Sequence, residues 1–388
     1  MSAFLRLFVL NFLFWVGFNS TSLLPAYLAS LGAGQTFVGF YNILGILLIV
    51  VVVVFFGRIL VQLPRVKALR WGFVLLVVSS LLSWAFASSL VLLAVFRLTA
   101  AISQVFVSTL MLSVLLDLTP PEGRAGGIAL YSVGGMITNP ISALAGEAVL
   151  RWAGGPALFF IPAVLGLVAL AWSFLIKEPA VPASSEEPPS FRSVVARPDL
   201  RTLLVLAFLF GIFYSALLSF LPAHTKLTLG EANLSAFLIP FSAVSIGVRV
   251  FFGRSLDEHP PRRFLWLSFL AVAVSQAFLL LPSAWPWIVL AGLFYGLGHS
   301  VLYPLLNALV VEVGGENQKA VYSNVFLVAN LLGAALMTPV LGAVGDLWGF
   351  SAIVGVMAAV AVVSVLLVRK RFPRPLKLAE DPPSSRSS

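Results

Sequence analysis

Runs of about 20 apolar residues follow one another along almost the whole chain, separated by short clusters of Gly, Pro and polar or charged residues. A run of that length crosses a hydrocarbon core of roughly 30 Å as a single helix. The pattern predicts twelve membrane helices, over 5–30, 36–60, 68–87, 90–116, 126–150, 156–176, 201–224, 233–254, 263–282, 285–311, 320–344 and 349–368. Between the sixth and seventh, residues 177–200 ("KEPAVPASSEEPPSFRSVVARPDL") switch to Pro, Ser and charge. Such a stretch reads as an exposed linker. The expected organisation is a six-helix bundle over 1–176, the linker 177–200, a second bundle over 201–370 and a tail over 371–388.

The two sets of six echo each other. "FLFWVGFNSTSLLPA" at 12–26 resembles "FLFGIFYSALLSFLPA" at 208–223, "FFGR" stands at both 55–58 and 251–254, and "NPISALAGE" at 139–147 parallels "TPVLGAVGD" at 338–346. The offsets, 196 to 199 residues, point to one duplicated six-helix unit. With an even number of crossings per unit, both copies face the same way across the bilayer. Duplicated bundles around a central cavity suit an alternating-access carrier.

Composition removes other classes. Of 388 residues 60% are hydrophobic and only 10% charged, with a mean hydropathy of +1.03, so the chain is an all-α integral membrane protein. The net charge of +9 raises the question of a nucleic-acid partner, and its placement answers it. With the N-terminus inside, 20 of the 24 Lys and Arg fall at cytoplasmic ends, loops or tails, which is the asymmetry that orients membrane proteins. Both termini are expected in the cytoplasm and the protein in the inner (plasma) membrane. Without Cys, disulfides and thiolate metal sites are excluded. The apolar start, "MSAFLRLFVLNFLFWVGF", is too long for a signal peptide and reads as the first helix.

The most charged short run, "GRSLDEHPPRRFL" at 253–265, has a fainter copy, "GRILVQLPRVKAL", at 57–69. Through these runs, and through the duplicated halves, the chain resembles a transporter of the major facilitator superfamily, of the twelve-helix drug-efflux-like branch. That family carries a glycine, an acid four residues on and then a basic pair between helices 2 and 3, often repeated between 8 and 9. Here Gly253, Asp257, Arg262 and Arg263 match, with Pro261 where glycine is usual. The first copy keeps Gly57, Arg65 and Lys67 but has Val61 in place of the acid and Gln62 in place of the next arginine. On its own chemistry the cluster reads as a cytoplasmic latch carried mainly by the second half. Gly253 is expected to bring helices 8 and 11 together, and Asp257 to pair with Arg or with a helix N-terminus.

Ionisable groups at membrane depth mark function, and there are few. Arg97 lies within helix 4 on one face with Gln104 and Ser108; lacking an acid, it is expected to want a carbonyl, water or an anionic substrate group. Efflux members begin a pattern ending in Gln-Gly at this arginine, where this chain has Ala100 and Ala101. Helix 10 carries Tyr295, His299, Tyr303 and Asn307 at four-residue intervals, along one face. The repeat sets Tyr295 opposite Arg97. His299 is the deep group suited to carry a proton near neutral pH. Helix 1 adds Asn11, Trp15 and Asn19, and helix 7 adds Tyr214. The resemblance implies that helices 1, 4, 7 and 10 line the cavity, and these residues fall on those helices. In helix 5, Gly135, Asn139 and Pro140 read as a bent hinge packed tightly on the other half, with Asn139-Pro140 where efflux members have Gly-Pro. Glu147 reads as a helix-end charge paired locally with Arg151, four residues on.

These readings point to a secondary transporter that exports a small organic molecule, with proton antiport implied by the resemblance. A facilitator or importer of an organic anion or sugar-like solute stays open, as does a non-transporting sensor or lipid-handling protein. No nucleophile–base set, phosphate loop or metal set among His224, His259 and His299 supports an enzyme, and neither metal nor cofactor is expected. The expected partners are the small-molecule substrate, protons and membrane lipid, with no nucleic acid and no second subunit.

Overall fold

The computed structural model describes residues 3–56, 63–118, 124–178, 194–258, 261–314 and 319–371. They are almost wholly helical. The first bundle holds α1 (Ala3–Ser20), α2 (Gln35–Val51), α3 (Arg65–Ala85), α4 (Leu90–Leu118), α5 (Arg124–Ala153) and α6 (Phe160–Ser173). The second holds α7 (Arg201–Leu229), α8 (Ser235–Glu258), α9 (Pro261–Leu279), α10 (Trp285–Gly314), α11 (Lys319–Trp348) and α12 (Phe350–Arg371). Nine helical segments among the described residues are long and apolar enough to cross a membrane; Gln35–Val51 and Ser235–Phe251 are shorter apolar helices. Large apolar side chains such as Val91, Trp152, Phe251 and Leu227 stand on the outside. In water that surface would be an aggregation site; in lipid it is the solvated face.

Local chemistry explains the breaks. After α1 the chain passes through a 3-10 turn at Thr21–Leu23 before a further helical stretch, Leu24–Ser30. Here Ser20 donates to the Gly17 carbonyl and Thr21 to the Phe18 carbonyl, back-bonds that bend helices. Pro25, without an N–H, adds to the break. At the other end of α2 the backbone widens into a π turn at Val52–Phe56.

Within the first bundle α3 packs on α4 and α6, and α1 on α5 and α6; within the second, α10 packs on α8 and α9, and α7 on α11. Between bundles the seams are α2 with α11 and α5 with α8. Besides α5, α8 lies against α10; the close approach of helices 8 and 11 expected at Gly253 lies outside the described side chains.

The cores show where the bundles fuse. One buried cluster joins the second bundle's Phe213, Phe241, Tyr295 and Phe326 to Leu23, Leu28, Val38 and Tyr41 of the first. The other, around Leu7, Leu10, Phe73 and Met111, belongs to the first bundle alone. The bundles thus share a core at the end carrying residues 21–41, here termed the far end. The opposite end, with Arg65, Lys67, Arg262 and Arg263, is the basic end.

The expected linker is partly docked. Val194 and Leu200 are buried, and Arg197 bonds Asp199, the Tyr322 hydroxyl (2.9 Å) and the Val313 carbonyl (3.4 Å). The Arg197 guanidinium holds the Asp199 carboxyl below the usual carboxylate range.

Candidate substrate cavity and gate

Between the bundles lies a cavity of about 320 Å³. Its first-bundle wall is Asn11, Trp15, Asn19 and Ser22 of α1 and the turn after it, with Gly135 and Asn139 of α5. The α1 residues follow at intervals of four, four and three, so one helix face supplies them. The second bundle contributes Tyr214 and Leu218 of α7 and Leu238 of α8.

The polar groups here are uncharged. Asn19 donates to the Asn139 side-chain oxygen at 2.9 Å, which leaves the Asn19 carbonyl and the Asn139 amino group for a ligand. Asn11 is buried at 1% exposure, and neither its amide nitrogen nor its oxygen has a partner. The Ser22 hydroxyl is likewise buried and unpartnered. Tyr214 is braced by Tyr295, Phe241 and His299, with ring centroids 6.4, 5.8 and 5.6 Å away.

The structure brings Asn11, Trp15, Asn19, Gly135, Asn139 and Tyr214 together, and places the other expected cavity residues elsewhere. Arg97 packs inside its own bundle, its guanidinium 5.3 Å from the Phe18 ring and 5.8 Å from that of Tyr41. A pocket of only about 20 Å³ adjoins it, lined also by Ser79, Ser80 and Ser83. The described partners of the guanidinium, for which a carbonyl, water or an anionic substrate group was expected, are the Phe18 and Tyr41 rings, in cation–π contact. Gln104, on the same helix, does not line the cavity. His299 sits in an aromatic sleeve of Phe210, Tyr214, Phe241, Tyr295 and Tyr303, with Nδ1 unpartnered. Tyr295 is fully buried, also with an unpartnered hydroxyl, and packs on Tyr214, Phe237, Phe241 and His299 of its own bundle. Gly135 is not a packing residue: a Cβ there would meet nothing within 4 Å, because it faces the cavity. Pro140 lies inside the continuous α5.

Above the cavity the far end is closed by two related contacts. Asp346, at the end of α11, accepts from Gln35 N (2.6 Å), Thr36 N (2.9 Å) and Thr36 Oγ1 (2.5 Å) at the start of α2. Glu147, near the end of α5, accepts from Ser235 N (2.7 Å) and Ser235 Oγ (2.6 Å) at the start of α8. Each carboxylate caps the first turn of a helix in the opposite bundle, where orphan N–H groups and the helix dipole favour an anion. These are the two residues that the repeat sets in register. Arg151 pairs with Glu231 across the same seam, so the local Glu147–Arg151 pair is replaced by two contacts between bundles. Spacing within one helix gave no sign of this, because the partners lie 80 or more residues away.

Close backbone approach reinforces the α2–α11 seam. A Cβ at Gly39 would lie 2.8 Å from the Thr338 carbonyl oxygen, and one at Gly342 would lie 2.5 Å from that of Gln35. Below the seam, Asn42 of α2 donates to Ser219 of α7 at 2.6 Å.

The expected basic-end latch falls largely outside the described residues. Gly57 is among residues not described, and Gly253 and Asp257 lie on α8 without a described side-chain environment. Arg65 is buried at the start of α3, whose first N–H groups are capped by Glu178 at 3.0 Å. Arg262 bonds the Val368 and Arg369 carbonyls and so ties α9 to α12 within one bundle. Arg263 is exposed.

Two like-facing bundles of six membrane helices around a small-molecule-sized cavity define a membrane transporter rather than an enzyme. The chain belongs to the major facilitator superfamily, whose family model matches residues 7–330 and, in a second match, 241–387. It is 24% identical over 400 aligned residues to the staphylopine export protein of Staphylococcus aureus (strain Mu50 / ATCC 700699), covering 96% of this chain and 97% of that one. Among solved structures it resembles a mutant of the nucleoside transporter NupG, with a TM-score of 0.79 at 14% identity over 96% of this chain and 100% of that one. It also resembles an inward-facing, unoccupied bacterial homologue of the human lysosomal transporter Spinster, with a TM-score of 0.72 at 17% identity over 95% and 94%.

Proposed function

We propose that the protein exports a small organic molecule across the inner (plasma) membrane by alternating access, with the basic end and both termini in the cytoplasm. The observation that carries this is the cavity between the bundles, sealed at the far end by Asp346 and Glu147. In that orientation the structure is the state closed to the outside. The likeness to a staphylopine exporter supports outward movement. Rocking the bundles breaks the two carboxylate caps and the Arg151–Glu231 pair, and opens the cavity outward.

Proton antiport with His299 as carrier is the coupling that the family resemblance favours. Uniport of an uncharged solute is the second reading, favoured by a cavity whose lining residues are all uncharged. Protein in liposomes with a trapped pH dye decides between them. Substrate-driven dissipation of a proton gradient, lost in His299→Ala, supports antiport. Counterflow without proton movement supports uniport, and a solute retained against every gradient overturns transport by this chain.

A further inference from the structure

We infer that the substrate is recognised as an uncharged molecule, through a donor–acceptor edge of the amide, lactam or urea kind read by Asn19 and Asn139, with Asn11 as a second polar point further along α1. This rests on the reading of the protein as a transporter and names the chemistry of its cavity. The nine lining residues include three carboxamides, the hydroxyls of Ser22 and Tyr214, two aromatic side chains and no charge. An ion taken from water into that space meets no counter-ion on its walls, and buried charge is tolerated when paired. The basic side chains at depth are not part of these walls: Arg97 is held by Phe18 and Tyr41.

The carboxamides are the part of the cavity left chemically incomplete. Asn11 buries both a donor and an acceptor without partners, and a group left in that condition is destabilising until something pairs with it. The Asn19–Asn139 bond frees one carbonyl and one amino group more. The Asn19–Asn139 pair therefore presents an acceptor and a donor at one point of the wall, whereas Asn11 lies eight residues back along the helix, about 12 Å away, as a second polar point. A planar ligand edge that also carries one of each satisfies both. A carboxylate satisfies the amino groups but faces the asparagine carbonyls, and an ammonium or amidinium does the reverse.

The walls are also unequal. All three carboxamides belong to the first bundle, whereas the second bundle supplies the braced Tyr214 ring with Leu218 and Leu238. A matching substrate is amphipathic, with its polar edge on α1 and α5 and an apolar or aromatic face on α7 and α8. When the bundles rock, the apolar contact slides while the directional bonds travel with one bundle.

Benzamide, benzoate and benzamidine provide near-isosteric neutral, anionic and cationic probes. Their binding to the full-length purified protein near pH 7.5 is read by calorimetry and by thermal shift. The expected result is benzamide binding about tenfold or more tighter than either ion, as a net hydrogen bond of roughly 1 kcal/mol and an unpaired charge together require. Asn139→Leu should weaken benzamide about tenfold, Asn139→Gln should restore part of the loss, and Arg97→Gln should leave binding unchanged. Equal binding of the three probes, preference for benzoate lost in Arg97→Gln, or no benzamide binding at millimolar concentration overturns the inference. Loss of binding in an Asn→Leu variant counts only where its unliganded melting curve matches the parent. Cysteine labelling at both ends, done without ligand, keeps the two readings apart. Rocking with the wrong probe preference sinks only the substrate class, and absence of rocking sinks the transport reading.

Discussion

Replacing Asp346 by Ala removes three hydrogen bonds that exist only while the far end is closed. Asp346 is exposed, so its bonds compete with water. The appropriate scale is loss of a helix cap, typically about 1 kcal/mol. Once the bundles part, water solvates both the carboxylate and the α2 N–H groups, so the loss falls on the closed state alone. About 1 kcal/mol displaces the equilibrium toward the far-end-open state roughly fivefold. Glu147 is half-buried, and bonds to a charged acceptor there are worth more, about 2 kcal/mol for the Ser235 pair and roughly thirtyfold. The two caps share no partner, so Asp346→Ala with Glu147→Ala should add to about 3 kcal/mol, on the order of a hundredfold. Asp346→Asn keeps an acceptor but loses the charge and should fall between wild type and Ala. The natural chain has no Cys, so Ser22→Cys at the cavity wall gives one reporter. Its alkylation by a membrane-impermeant maleimide added outside should quicken in the order wild type, Asp346→Ala, Glu147→Ala, double variant. Rates alike within about twofold across folded variants would refute the gate reasoning.

Further outcomes follow from the same contacts. Gly39→Val forces a side chain into the Thr338 carbonyl; it should hold the far end open, giving fast outside labelling of Ser22→Cys and transport reduced to background. Tyr295→Phe deletes a fully buried hydroxyl that has no partner; it should leave the melting temperature unchanged or raised, where a buried Tyr with a bonded hydroxyl would lose about 1 kcal/mol. Asp199 is held below its ordinary carboxylate range by Arg197, so the docking of residues 194–200 is supported at pH values above its unfolded pKa of about 3.9 and is lost as pH falls through the lower folded value. Tryptic cleavage at Arg197 and Arg201 near pH 8 should therefore be faster in Asp199→Asn than in the parent protein.

Much of the fold can be read from the chain, because hydropathy and the 196-residue repeat are properties of segments rather than of contacts. The repeat also pairs Glu147 with Asp346, yet their role stayed hidden behind the Arg151 spacing. A four-residue interval describes one helix, whereas the caps form between α5 and α8 and between α11 and α2. The polar faces of α1, α5 and α7 reach the cavity as expected. Arg97 does not, since helical spacing fixes which residues share a face and not which neighbour the face meets. Gly45 leaves room for the guanidinium between Phe18 and Tyr41, a void visible only once α2 and α4 are packed. Gly135 shows the same limit: a small residue reads equally as a contact or as an opening.

The central claim, two bundles rocking about a fixed cavity, is tested most directly by paired spin-label distances in lipid. One pair, at Trp152 and Leu227, spans the bundles at the far end, where both side chains are exposed; the other, at Lys67 and Arg263, spans the basic end. Introducing Asp346→Ala with Glu147→Ala into each labelled protein should lengthen the first distance and shorten the second. If both distances move in the same direction, or neither moves, the bundles do not alternate access.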